Sequence, residues 1–116
     1  MSSIAWVEDA WHGDVPVAAV HGELDASNAR ELGERVRSLL TNELKAMIVD
    51  LSGTTYLDSA GINQLFALGE AMRARQQRLA LVVGAGSPIE RMLTIIGLTQ
   101  VELVCPTVPA ALEQLG

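Results

Sequence analysis

The chain has 116 residues, 49% of them hydrophobic and 19% charged, with a net charge of −6. That length fits one domain (residues 1–116) with its own core, and that composition excludes intrinsic disorder. No apolar run nears the ~20 residues of a membrane span, and no basic stripe supplies the clustered Lys and Arg of a nucleic-acid binder, so neither direct membrane insertion nor a nucleic-acid partner is expected.

In chain order, Met1-Ser2-Ser3-Ile4 has no basic region leading into an apolar stretch, so no signal peptide is expected. Ile4, Trp6 and Val7 predict a first strand, His12-Gly13-Asp14 a turn, and the β-branched run Val15 to Val20 a second strand. A short turn between adjacent strands implies an antiparallel hairpin. Pro16 cannot donate to a ladder, so it belongs at the strand start or on an unpaired edge. From Ser27 the period becomes helical, with Ala29, Leu32, Val36, Leu39 and Leu40 on one face and Arg30, Glu34 and Arg37 between them.

Met47-Ile48-Val49 with Leu51 predicts a buried central strand. Ile62, Leu65, Phe66, Gly69 and Met72 mark a second helix, and Leu79 to Val83 another buried strand. Ser87-Pro88-Ile89-Glu90 combines an N-cap, a proline at the first helical position and an acid at the third, so it starts a helix. That helix ends at Gly97. Val101 to Val104 predicts a short last strand, and Pro109-Ala110 opens a final helix through Leu115. Cys105, the only cysteine, has no partner for an internal disulfide. With the missing leader it points to a reducing, cytoplasmic setting.

A hairpin followed by alternating helices and strands is an α/β pattern. The expected fold is a mixed four- or five-stranded sheet, an N-terminal hairpin plus parallel strands, with about four helices. Binding residues in such sheets collect at the carboxyl ends of strands. Two junctions qualify: Gly22 to Ser27 and Leu51 to Gly61.

In the second junction, Asp58 or Ser59 is the expected N-cap of the following helix. Ser59 then has two readings, a helix cap or an exposed hydroxyl open to phosphorylation, beside a helix N-terminus that attracts anions. Asp25 likewise reads as an N-cap or Asx-turn residue of the first helix.

Gly22-Glu23-Leu24-Asp25, Val49-Asp50-Leu51-Ser52-Gly53, Tyr56-Leu57-Asp58-Ser59-Ala60-Gly61-Ile62 and Ile96-Gly97-Leu98 stand in order along the chain. Together they resemble the STAS-domain family, the bacterial anti-sigma-factor antagonists. The resemblance implies that Ser59 is the phosphoacceptor. It also implies that the partner is an anti-sigma factor, itself a serine kinase of the histidine-kinase-like ATPase type. The unphosphorylated antagonist binds that kinase and frees a sigma factor, phosphorylation ends the binding, and a serine phosphatase restores it. Asp25 and Asp58 would flank the acceptor and orient the kinase, and Gly61 would let the partner's backbone come close. Where many relatives carry a second hydroxyl after the acceptor, this chain has Ala60. The alternative within the resemblance is a STAS subunit of a membrane lipid or solute transport complex, which docks without phosphorylation.

Other chemistry finds less support. Gly84-Ala85-Gly86 begins like a dinucleotide loop, but Ile89 stands where the third glycine belongs, so no cofactor is expected. His12 and His21 lack the spacing of metal ligands, and His21 is expected on or just past the second strand, partly exposed. A nucleophile elbow wants glycine where Leu57 stands, and both histidines precede Ser59, so an enzyme is not expected.

Overall fold

Gly13 makes the first reversal of the chain. Its φ of +62° supplies the left-handed residue of a two-residue hairpin turn. In the computed structural model, which describes residues 4–116, that turn joins β1 (Ala5–His12) to β2 (Val15–Leu24) in antiparallel register. Pro16 lies opposite Trp11, and pairing of β2 with the next strand begins only at Val17. The missing N–H therefore falls outside that ladder.

The chain continues as α1 (Ala29–Arg37), β3 (Ala46–Asp50), β4 (Thr54–Leu57), α2 (Ser59–Ala74), β5 (Arg78–Val82), α3 (Pro88–Ile95), α4 (Leu98–Val101), β6 (Leu103–Cys105) and α5 (Val108–Leu115). The sheet runs β1-β2-β3-β5-β6, with β4 paired to the far end of β2. All pairs but the hairpin are parallel.

Two elements differ from the sequence expectation. β4 is a sixth strand inside the junction that read as a plain strand-to-helix link. The predicted strand Val101 to Val104 starts later, because Val101 closes the one-turn α4 and β6 begins at Leu103. Gly97, at φ +83°, ends α3 and redirects the chain into α4. The Ser87 hydroxyl caps α3 by accepting from the Glu90 amide at 3.2 Å, as its sequence predicts.

Side chains alternate across the strands. Met47 and Val49 enter one core with Val20, Leu65, Met72, Leu81 and Leu93, while Ile48 enters a second with Val17, Ala80, Val82 and Ala111. The first core lies under α1, α2 and α3, and the second under α5. Each fully buried aliphatic contributes roughly 1.5–3 kcal/mol, so β3 and β5, buried on both faces, anchor the sheet.

The end of β2 prepares the site. Gly22 has φ +91°, and a Cβ there would overlap the carbonyl oxygen of Ile4. β2 pairs with β3 through Ala19 and with β4 from Gly22 onward, and within the β2–β4 ladder the register shifts between Gly22 and Glu23, which skips Thr55 of β4. The positive φ of Gly22 and the close approach of Ile4 require a residue without a Cβ there.

Candidate functional site

The carboxyl ends of β2 and β4 lie side by side, with Leu24 opposite Leu57. The chain then leaves β2 through Asp25 and leaves β4 through Asp58. The Asp58 amide donates to the Leu24 carbonyl at 3.2 Å. Both predicted junctions thus form one surface.

Asp25 builds a turn. Its Oδ1 accepts from the Ser27 amide at 2.9 Å and from the Ser27 hydroxyl at 2.6 Å. Its carbonyl accepts from the amides of Asn28 and Ala29. Asn28 closes the turn from the other side, accepting from the Asp25 amide and donating to the Glu23 carbonyl at 2.8 Å. Of the two local readings, the Asx-turn is observed. Asn28 occupies the N-cap position of α1.

Asp58 is the N-cap of α2, with extended φ and ψ of −102° and −170°. Its Oδ1 accepts from Ala60 N at 2.9 Å and Gly61 N at 3.3 Å. Ser59 is consequently the first helical residue and not the cap. It is exposed, and no hydrogen bond engages its hydroxyl among the described residues. Ala60 behind it is half-buried.

Gly61 is buried, and a Cβ on it would overlap Leu57 Cδ1 and crowd Leu24 Cβ at 3.2 Å. The missing Cβ faces inward and lets the first turn of α2 settle on the ends of β2 and β4. Sequence reasoning also passed over Tyr56. It is 49% exposed and opposite Glu23 in register. Its signal was a large aromatic three positions before the candidate acceptor.

The site is acidic. Residues 1–29 and 46–72 contain no Lys or Arg, while Glu23, Asp25 and Asp58 stand at the strand ends. Beside it, a groove of about 300 Å³ is lined by Ser52, Thr54, Thr55, Gly84, Ser87 and Ile89. In its glycine loop, the Gly86 amide donates to Glu90 Oε1 at 2.7 Å. His21 lies within β2, 30% exposed, and is stacked on Trp6. No group of three metal-binding side chains forms among the described residues.

The arrangement is a hairpin-led mixed sheet with helices packed unequally on its two faces, and it exposes Ser59 beside the capping Asp58 where the ends of β2 and β4 meet. The family model described as "Mlab, STAS domain" matches residues 7–106, and the chain belongs to the STAS domain family. It is 40% identical over 73 residues to Osmosensory protein A of Mycobacterium tuberculosis, covering 61% of this chain but 44% of that relative's length. It is 31% identical over 87 residues to Anti-sigma-F factor antagonist RsfB of the same species, covering 75% of this chain and 70% of the relative. Among solved structures, an anti-sigma factor antagonist from Mycobacterium paratuberculosis superposes with a TM-score of 0.86 at 24% identity, over 97% of this chain and 94% of that one. That likeness confirms the α/β STAS fold.

Proposed function

We propose that this chain is an anti-sigma-factor antagonist controlled by phosphorylation of Ser59. In its unphosphorylated form it binds an anti-sigma factor that is also a serine kinase of the histidine-kinase-like ATPase type, and so frees a sigma factor in the cytoplasm. The names of the relatives support the antagonist role. The observation that carries the switch is the division of labour between neighbours: Asp58 caps α2, which leaves the Ser59 hydroxyl exposed and unengaged.

The chemistry is transfer of the γ-phosphoryl group of ATP. Ser59 Oγ forms the new O–P bond, the bond between the β- and γ-phosphates breaks, ADP leaves, and the serine proton passes to a base of the kinase. The chain itself supplies the nucleophile and its placement. Asp25 and Asp58 flank the acceptor and offer carboxylates that orient the kinase. Gly61 contributes by seating the first turn, which sets where Ser59 stands.

A phosphate adds a charge of about −1.5 to −2. The Asp58 carboxylate already takes the amides of Ala60 and Gly61, so the helix end offers the phosphate little that is unclaimed. Glu23, Asp25 and Asp58 surround it, and these segments hold no Lys or Arg. The added charge therefore stays on the surface and acts on the partner. Like charges in a closing interface cost several kcal/mol. A serine phosphatase would reverse the change.

The test is incubation with candidate anti-sigma kinases and ATP, with the modified residue mapped by mass spectrometry. Wild type takes up one phosphate on Ser59, and Ser59→Ala takes up none and still binds the kinase. Ser59→Asp weakens binding by about two orders of magnitude while the fold survives. Equal phosphate uptake by Ser59→Ala would overturn the assignment. Kinase-independent docking that Ser59→Asp leaves untouched would favour a transport-complex subunit.

A further inference from the structure

Among the described residues, one half of one sheet face carries no helix. α1 and α2 pack over the face into which Val7, Val20, Leu24 and Leu57 point. On the opposite face α5 packs on β3, β5 and β6. Side chains alternate along strands, so Trp6, Glu8, His21, Glu23 and Tyr56 stand on that opposite face, over β1, β2 and β4.

Three of these residues, Trp6, Glu8 and His21, contact one another, and Glu23 and Tyr56 are opposite each other in register. The Trp6 and His21 rings stack with centroids 5.0 Å apart and planes 16° from parallel. Trp6 Nε1 donates to Glu8 Oε1 at 3.0 Å, and the same oxygen lies 3.7 Å from His21 Nε2. Gly53 makes room for the histidine, since a Cβ there would overlap its ring. Trp6 remains 46% exposed and Tyr56 49% exposed. The segments that carry these residues hold no Lys or Arg, since none occurs in residues 1–29 or 46–72, and Arg35 of α1 reaches β1 only at the Val7 carbonyl.

Exposed aromatic faces beside carboxylates attract cations. We propose that this face seats an arginine-bearing segment of the protein that docks on Ser59. Guanidinium planes lie on Tyr56 and Trp6, and Glu23 and Glu8 answer their charge. The proposal rests on the phosphorylation-controlled reading above and names what else its partner must carry. Arginine fits better than lysine, because a planar, weakly hydrated guanidinium stacks on rings and pairs with carboxylates. A second copy of the chain would set the Glu8 and Glu23 carboxylates of two such faces against each other, and an anionic lipid surface would be repelled. Tyr56 joins this face to the acceptor, being opposite Glu23 in register and in the strand that leads into Asp58 and Ser59.

The experiment uses the isotope-labelled chain carrying Trp11→Phe, so that Trp6 is the sole indole reporter. It is titrated with a decapeptide of alternating glycine and arginine, and with its lysine counterpart of equal charge. The expected result is saturable shifts of the Trp6 indole N–H and the Glu23 and Tyr56 amides, with affinity about three-fold higher for the arginine peptide. Trp6→Ala and Tyr56→Ala, checked for folding by circular dichroism, lose that preference. Equal affinity for the two peptides, no shifts, or shifts spread over every acidic residue overturns the proposal. In a second arm, a kinase shown to phosphorylate Ser59 is assayed against Glu23→Gln/Tyr56→Ala. KM rises about ten-fold while kcat holds. An unchanged KM defeats the docking face and leaves the switch standing. Should no anti-sigma kinase modify wild type, the switch fails, and the peptide titration still decides the face.

Discussion

The amide of Asp58 donates to the carbonyl of Leu24 at 3.2 Å, and this bond sets the turn of Asp25 beside the first turn of α2. Everything proposed for Ser59 depends on Asp58 keeping both this backbone bond and its side-chain cap. Asp58→Ala should therefore lower stability by about 1 kcal/mol, the usual worth of an N-cap. Ser59→Ala should shift it by less than about 0.5 kcal/mol, because the hydroxyl is exposed and unengaged. Urea unfolding of the two variants beside wild type checks this. A larger loss for Ser59→Ala would mean that the serine, not the aspartate, holds the helix end.

Gly61→Ala is expected to cost about 1–3 kcal/mol as an overpacked core position. The new methyl would overlap Leu57 Cδ1, and Leu24 leaves it little room to retreat. The same shift would move Ser59, so phosphate uptake should slow as the melting temperature falls. A fully stable Gly61→Ala would show that the turn has slack the packing does not reveal.

Glu102 is buried at the entrance to β6 and pairs with Arg73 of α2, its carboxylate lying where a side chain on Gly69 would otherwise sit. Arg73 is about half exposed, so the pair is partly screened. Arg73→Ala should still cost about 1–3 kcal/mol, because it strands a buried carboxylate. The double variant Arg73→Ala/Glu102→Gln should recover part of the loss. A double-mutant cycle by urea unfolding reads the coupling, and strict additivity would exclude it.

Burial pushes the Cys105 thiol up from its ordinary value. A folded value above the unfolded one means that the stabilisation is complete below the ordinary cysteine range, about 8.5. It is lost as pH rises through the higher folded value. Wild type should thus lose stability relative to Cys105→Ala as pH is raised from about 8 to 10. Parallel pH profiles for the two proteins would contradict it. The native thiol should also react slowly with disulfide reagents at neutral pH.

Most of the fold was legible in the residue pattern, and the exceptions share a cause. The hairpin, the two central strands, α1, α2 and the Ser87-capped α3 follow from periodicity and cap chemistry within a few residues. β4 was not legible, because Thr54-Thr55-Tyr56-Leu57 is short and half polar and becomes a strand only beside the end of β2. Val101 carries strand propensity yet closes α4, because Gly97 turns the chain back into a helical turn. The choice between Asp58 and Ser59 as cap was open for a similar reason. Both side chains can accept, and the backbone of Asp58, extended by its pairing with Leu24, made the selection.

The sequence by itself determined the order of elements, the buried strands, the family resemblance and a serine next to a helix start. Those are local properties, set by side-chain spacing and by neighbours within a turn or two. Only the tertiary structure decided that Asp25 and Asp58 share one surface, that Gly61 faces inward, and that Trp6 and Tyr56 stand together on an uncovered sheet. These depend on β2 exchanging β3 for β4 between Ala19 and Gly22. Parallel pairing between distant segments leaves no periodic trace in either of them.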